Sequence, residues 1–230
     1  MRIIIVRHGE PDYSNDCLTP TGVVQAKATA RRLAGEKIGA IYSSPKGRAM
    51  QTARETAMLL GMPIIVVDAM REIRWGSLDG EPIPENGFPW TIAHQMAQHG
   101  WDVTDPDWTR CPLFDNNHVV PSVKEVAEGT DAWMASLGYR RENGLYVCDR
   151  PGAAPETVAL FCHAGAGAAV FSRLMNLPFP YVCMMIETLP FAGILALEIR
   201  SRSVPMLEFI ADDRHLPWLD LQRVRKENEG

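Results

Sequence analysis

Apolar residues along the chain fall into short unbroken runs separated by longer periodic ones. The unbroken runs, Ile3–Val6, Ala40–Tyr42, Ile64–Asp68, Thr157–Cys162, Gly193–Ile199 and Met206–Ile210, read as strands. Most lack the apolar–polar alternation of a half-exposed strand, which predicts a sheet covered on both faces. Helical periodicity appears at about Thr21–Ala34, with Ala26, Ala30 and Leu33 on one face, at about Gly47–Leu60, stopped by Gly61 and Pro63, and at about Ala164–Met175, stopped near Pro178. Strands alternating with helices predict an α/β fold: a three-layer α/β/α sandwich around a mostly parallel central sheet.

The stretch from Trp75 to Val120 breaks this alternation. It is rich in Pro, Gly, Trp and Asp and offers at most one short helix, near Trp90–His99. We expect it to be a cap inserted at about 76–121 into a single domain spanning 1–230. After it, Ser122 and Glu125 have the spacing of a capping box, and Val123, Val126, Ala127, Trp133, Met134 and Leu137 supply the apolar stripe of a long helix. Leu219–Gly230 reads as a fraying, charged end.

Composition narrows the function classes. With 23 Lys+Arg against 28 Asp+Glu the net charge is −5, so there is no broad basic footprint for a nucleic-acid backbone and any anion site must be local. The apolar start is too short for a signal peptide or a membrane span, which leads us to expect a cytoplasmic protein with no membrane partner. The five cysteines are scattered without a Cys-x-x-Cys pair, as expected of buried thiols. A homodimer stays open.

Four separated segments place a charged or titratable side chain at a strand end or helix start. They are Arg7-His8-Gly9-Glu10 after the first strand, Ser43–Ala53 with Arg48 in the first turn of a helix, Arg71–Gly80 with Glu72 among arginines, and Cys162-His163-Ala164-Gly165. Ligands of open α/β sheets gather at the carboxyl ends of strands, where helix N-termini present free N–H groups. Taken singly, His8 reads as a core histidine, Arg48 as a solvated helix residue and Glu72 as a surface carboxylate. Converging, they suit phosphoryl transfer, which asks for positioning and neutralisation of three equatorial oxygens.

These segments, with Leu18–Gly22, Gln25-Ala26 and Asp213–Leu216, resemble in order the histidine phosphatase superfamily, the phosphoglycerate-mutase-like enzymes. The resemblance covers nearly the whole chain. It implies that His8 is a nucleophile forming a phosphohistidine, that Arg7, Arg48 and His163 hold the phosphoryl oxygens, and that Glu72 is the general acid and then the base. It implies a small phosphomonoester substrate and no metal or other cofactor. The N–H of Ala164 is a further candidate phosphate donor.

The chain departs from the family pattern after Glu10, where Pro11 stands in place of the usual Thr or Gln. The phosphate contact of that loop then falls to Ser14 or a shifted Asn15. His94 and His99 are not spaced for one helical face, and His215 is expected to pack or hydrogen-bond rather than react. Gly165-Ala166-Gly167 fails as a dinucleotide fingerprint because Val170 is bulky.

Transfer and hydrolysis differ in what receives the phosphoryl group. A mutase must retain a doubly phosphorylated intermediate and should carry a basic cap. Between Trp75 and Val123 there is one arginine, Arg110, no lysine and seven carboxylates, so net hydrolysis is expected over a mutase, while the presence of His8, His163 and Glu72 argues against a catalytically silent phospho-ligand binder. Four of the six tryptophans lie there, and one or two are expected to line the leaving-group pocket.

Overall fold

Ile3, Ile4, Ile5 and Val6 are all fully buried in strand β1 (Arg2–Arg7). Each contributes about 1.5–3 kcal/mol through burial. Ile3 and Ile5 join one core with Val158, Leu160 and Phe171, while Ile4 and Val6 join a second with Leu33, Ala53 and Phe161. Side chains alternate across a strand, so the unbroken apolar run serves two layers at once. The computed structural model describes residues 1–187 and 189–216; the expected frayed end from Leu219 lies outside them.

After a separate pair of short strands, β2 (Pro11–Asp12) and β3 (Cys17–Leu18), the remaining central strands are β4 (Ala40–Ser43), β5 (Ile64–Val66), β8 (Thr157–Cys162), β9 (Ile194–Glu198) and β10 (Met206–Asp212). They form a six-stranded sheet in the order β10-β9-β1-β8-β4-β5. β1, β8, β4 and β5 are mutually parallel; β9 runs antiparallel to β1 and to β10. Helices α1 (Pro20–Leu33) and α2 (Gly47–Leu60) feed Leu33, Ala53 and Ala57 into the second core. Helices α4 (Val119–Ser136), α5 (Ala164–Met175) and α6 (Phe179–Ile186) feed the first. This is the expected sandwich, with one reversed strand. Among the described residues no single helix is long and apolar enough to cross a membrane.

Between β5 and α4 the chain forms helix α3 (Pro89–Gln98) and otherwise 3-10 turns. The capping box at Ser122 and Glu125 does not form. Helix α4 begins three residues earlier, at Val119, whose N–H is taken by Asn117 Oδ1 at 3.0 Å; Ser122 Oγ instead accepts the Arg74 N–H at 3.2 Å. Pro121 is tolerated there because first-turn amides have no helical acceptor. A hairpin of β6 (Tyr139–Glu142) and β7 (Leu145–Cys148) was not expected from its polar first strand. Its turn, Asn143-Gly144, has positive φ at both residues, the conformation that this dipeptide favours.

Candidate active site

Three adjacent parallel strands deliver the first residues. Beyond the ladder of β1 with β8, the His8 N–H donates to the Cys162 carbonyl at 3.0 Å; beyond that of β4 with β8, the Ser44 N–H donates to the Phe161 carbonyl at 2.9 Å. His8, His163 and Ser44 therefore stand side by side at one sheet edge. The loop after His8 crosses the start of α1 so closely that a Cβ on Gly22 would lie 2.1 Å from the Glu10 carbonyl oxygen.

His8 is 1 % exposed, with Nδ1 2.7 Å from the Gly9 carbonyl oxygen. A carbonyl only accepts, so Nδ1 carries the proton and Nε2 keeps its lone pair. Arg48 Nε–H donates to that Nε2 at 3.2 Å. Burial, then the charge of Arg7, pulls the His8 pKa down to about 3, so the ring is neutral near pH 7. Its ring centroid is 5.1 Å from that of His163.

His163 is fully buried, and its Nε2 is 2.8 Å from Ser44 Oγ. An O–H···Nε2 bond from Ser44, whose Oγ also accepts the Lys46 N–H, is the arrangement that puts the His163 proton on Nδ1. Among the described residues that Nδ1 has no partner, and neither has the buried Nε of Arg7. Burial is the main cause that holds the His163 pKa well below its ordinary value, and the positive charges of Arg48 and Arg7 add to it. The Arg7 guanidinium lies 4.0 Å from the centroid of the Phe191 ring and donates through Nη1 to the Leu189 carbonyl.

Arg48 occupies the second position of α2. Its Nη1 is paired with Asp16 Oδ1 at 2.6 Å, while Asp16 Oδ2 accepts the Gly47 N–H at 2.9 Å. Burial works against the Asp16 charge, but Gly47 and Arg48 hold its carboxyl below the ordinary range. Thr52 Oγ1 donates to the Arg48 carbonyl at 2.8 Å and accepts the Gly9 N–H at 3.0 Å, tying α2 to the His8 loop.

Glu72 follows the 3-10 turn Asp68–Met70 and reaches the N-terminus of α5, where Oε1 accepts the Ile73 and Ala166 N–H groups at 3.0 and 2.9 Å. Only glycine fits beside it: a Cβ at Gly165 would sit 2.8 Å from Glu72 Oε1 and 2.4 Å from Ile73 Cγ1. Removal from water raises the Glu72 pKa and outweighs the lowering by the Ala166 amide and by Arg7.

Arg7, Arg48, Glu72 and Ala164 line one cavity of about 430 Å³ together with Tyr13, Trp75, Phe88 and Trp90. His8 does not line it and is reached through Arg48. Glu72 also borders a second cavity of about 410 Å³, whose charged lining is Lys46, Arg71, Arg74 and Glu125. Ser14 and Asn15 are not brought to either. Both sit in an exposed turn in which Asp12 accepts their N–H groups and the Asn15 side-chain amide. Among the described residues no three His, Cys, Asp or Glu side chains are grouped to hold a metal ion.

The family model of the histidine phosphatase superfamily (branch 1) matches residues 3–203. The chain belongs to this superfamily. Within the histidine phosphatase superfamily it is 35% identical over 89 residues to a putative phosphoserine phosphatase 2 of Hydrogenobacter thermophilus, covering 35% of this chain and 44% of that one. It is 34% identical over 88 residues to a probable phosphoglycerate mutase GpmB of Photorhabdus laumondii, covering 34% and 41%. The matched part thus spans under half the length of these curated relatives. The solved structure of a mycobacterial glucosyl-3-phosphoglycerate phosphatase with inorganic phosphate shares the fold, with a TM-score of 0.64 at 21% identity over 94% of this chain and 99% of that one.

Sequence reasoning missed Asp16, Ser44, Thr52 and Phe191. Ser44 follows a strand end beside two others that were recognised, a signal that was available. Asp16 is one residue beyond the pair chosen, and its role depends on a turn with φ of 48° at Asp16 itself. Nothing local marks Phe191. His215, placed by Nε2 at 3.0 Å from Thr29 Oγ1 and 3.2 Å from the Ala192 carbonyl oxygen, holds the Phe191 loop against α1.

Proposed function

We propose that this chain hydrolyses small phosphomonoesters, without a metal or other cofactor, through a phosphohistidine on His8. The observation that carries the reading is a neutral imidazole whose Nε2 bears no proton, beside two buried nitrogens, Arg7 Nε and His163 Nδ1, that have no partner among the described residues. An unpaired buried donor costs about 1–3 kcal/mol, more when charged, and phosphoryl oxygens satisfy both. Arg48 turns its Nε–H from Nε2 to a phosphoryl oxygen, and Nε2 attacks phosphorus. The bond to the leaving oxygen breaks as the Glu72 carboxyl protonates it. The Glu72 carboxylate then takes a proton from water, which attacks the phosphohistidine and releases phosphate and the imidazole. Nδ1–H, held by Gly9, shares the positive charge of the phosphorylated ring. The raised pKa of Glu72 supports a protonated start, and the Ala164 N–H is a further donor at the helix start.

Hydrolysis is favoured over transfer by the acidic cap. Its carboxylates Asp79, Glu81, Glu85, Asp102, Asp107 and Asp115 are exposed and create a field unsuited to retaining a doubly phosphorylated intermediate. The test is incubation with phosphomonoesters in the presence of chelator, trapping the protein in mid-turnover. An acid-labile, alkali-stable phosphoenzyme absent in His8→Ala, with free phosphate accumulating, is expected. Isomerised phosphoglycerate without free phosphate would identify a mutase, and no phosphoenzyme at all would identify a binder.

A further inference from the structure

Two cavities meet at Glu72, and they differ in chemistry. Of the groups assigned to the phosphoryl oxygens, Arg7, Arg48 and Ala164 line the aromatic one and not the other, and His163 lines neither. A leaving group bonded to a phosphorus held there must extend along that cavity's remaining wall. We infer that the leaving group is an alcohol bearing an uncharged planar ring or comparable apolar body, selected by Trp75, Phe88 and Trp90; this rests on the reading of the site as a phosphomonoesterase.

The three rings form one continuous face. Trp75 and Phe88 centroids are 5.6 Å apart and edge-on; Phe88 and Trp90 centroids are 5.2 Å apart and tilted. Trp90 is buried, and its indole N–H is held by the Glu187 carbonyl, so its ring orientation is preset. Trp75 is 38% exposed and Tyr13 is 65% exposed, which puts both at the open side. The Arg48 guanidinium lies 5.4 Å from the Tyr13 ring centroid. Such a wall favours ring stacking and presents no charge.

The same wall disfavours an acidic leaving group. Among the described residues its only cations are Arg7 and Arg48, both engaged by the phosphoryl group, and Glu72 is its remaining ionisable partner apart from the Tyr13 phenol. A second carboxylate or phosphate on the leaving group would enter without a counter-ion, beneath an acidic cap, and would carry an uncompensated desolvation penalty. The volume of about 430 Å³ suits a one- or two-ring body.

The test holds leaving-group acidity constant by comparing alkyl phosphates: 2-(1-naphthyl)ethyl phosphate and benzyl phosphate against ethyl phosphate, O-phosphoserine and 3-phosphoglycerate, with the full chain and chelator present. We expect kcat/KM for the naphthyl ester to exceed that for the two acidic esters by at least roughly tenfold. Trp75→Ala should shrink that ratio severalfold and Trp75→Phe should restore most of it. Arg74→Gln, in the other cavity, should leave the ratio unchanged. Preference for O-phosphoserine or 3-phosphoglycerate, lost in Arg74→Gln, would overturn the inference by sending the leaving group into the basic cavity while leaving the phosphohistidine reading intact. A flat profile unaffected by Trp75→Ala would overturn it equally. Absence of a phosphoenzyme with every ester would sink the reading of the site and this inference with it.

Discussion

The two sides of the candidate site are built in different ways. Its chemical side hangs on the ends of β1, β8 and β4, the start of α2 and the start of α5, where His8, His163, Arg48 and Glu72 are each held by a hydrogen bond of 2.6–2.9 Å. Its recognition side is a largely irregular segment in which Trp75, Phe88 and Trp90 are joined by aromatic contacts. Regular elements hold the groups that must not move relative to the phosphorus, while a loop segment shapes the wall that can differ between relatives without disturbing them.

If that division is right, substitutions on the chemical side should abolish turnover of every ester, and those on the recognition side should alter the ranking of esters. The largest effect expected is His8→Ala, lowering kcat by about 10⁴ or more with no trapped phosphoenzyme. A residual rate within tenfold of the parent, measured by phosphate release, would break the assignment of the nucleophile.

Glu72→Gln should lower kcat/KM for alkyl phosphates by about 10²–10⁴ and for p-nitrophenyl phosphate far less, since that leaving group departs without a proton. The alkaline fall of kcat/KM, set by the raised Glu72 pKa, should vanish in the variant. Equal losses for both esters would show that Glu72 does not act as the acid. The same substitution should raise stability at neutral pH. A carboxyl whose folded pKa lies above its unfolded value loses stability as pH rises from the unfolded pKa through the folded one, so a neutral amide relieves a penalty present at pH 7. About 0.5–2 kcal/mol is expected in urea unfolding.

Gly165→Ala should destabilise the protein by about 1–3 kcal/mol, because the new methyl group meets Ile73 and the Glu72 carboxylate oxygen. It should lower kcat with alkyl phosphates more than with p-nitrophenyl phosphate, following Glu72. The smallest effect concerns acid pH. His8, neutral when folded with its pKa near 3, leaves the unfolded chain to take up a proton below about pH 6.5, so stability should decline as pH falls from there toward 3. His8→Asn should flatten part of that decline in denaturation series at pH 7 and 4.5.

The same division explains what was legible beforehand. Continuous apolar runs marked β1, β4 and β8 because strands buried on both faces leave no alternation, and Arg7, His8 and His163 stood out by following them. Arg48 and Glu72 were found as members of a set. The direction of β9 was not legible, since an apolar run does not say which way its strand points. The place of Asp16 was not legible, because the turn after Pro11 depends on Asp12 accepting the Ser14 and Asn15 N–H groups, a local competition that spacing does not reveal. The capping box failed for a related reason: Asn117, bonded to the cap backbone at Gly87, captured the helix start first.

The reversed strand also bears on how the site comes into being. Because β9 runs against β1, the loop that enters β9 arrives at the edge where β1 ends. There Ala192 N–H meets the His8 carbonyl, Gly193 accepts the Arg7 N–H, Leu189 receives the Arg7 guanidinium and Phe191 covers both side chains. Arg7 and His8 thus wait for residues more than 180 positions later before they acquire their environment. A nascent chain folds from its N-terminal end as it emerges, and a ribosome halted before β9 would hold a chain with His8 made but unhoused. Activity should therefore switch on late and abruptly in a series of stalled lengths, as β9 clears the exit tunnel.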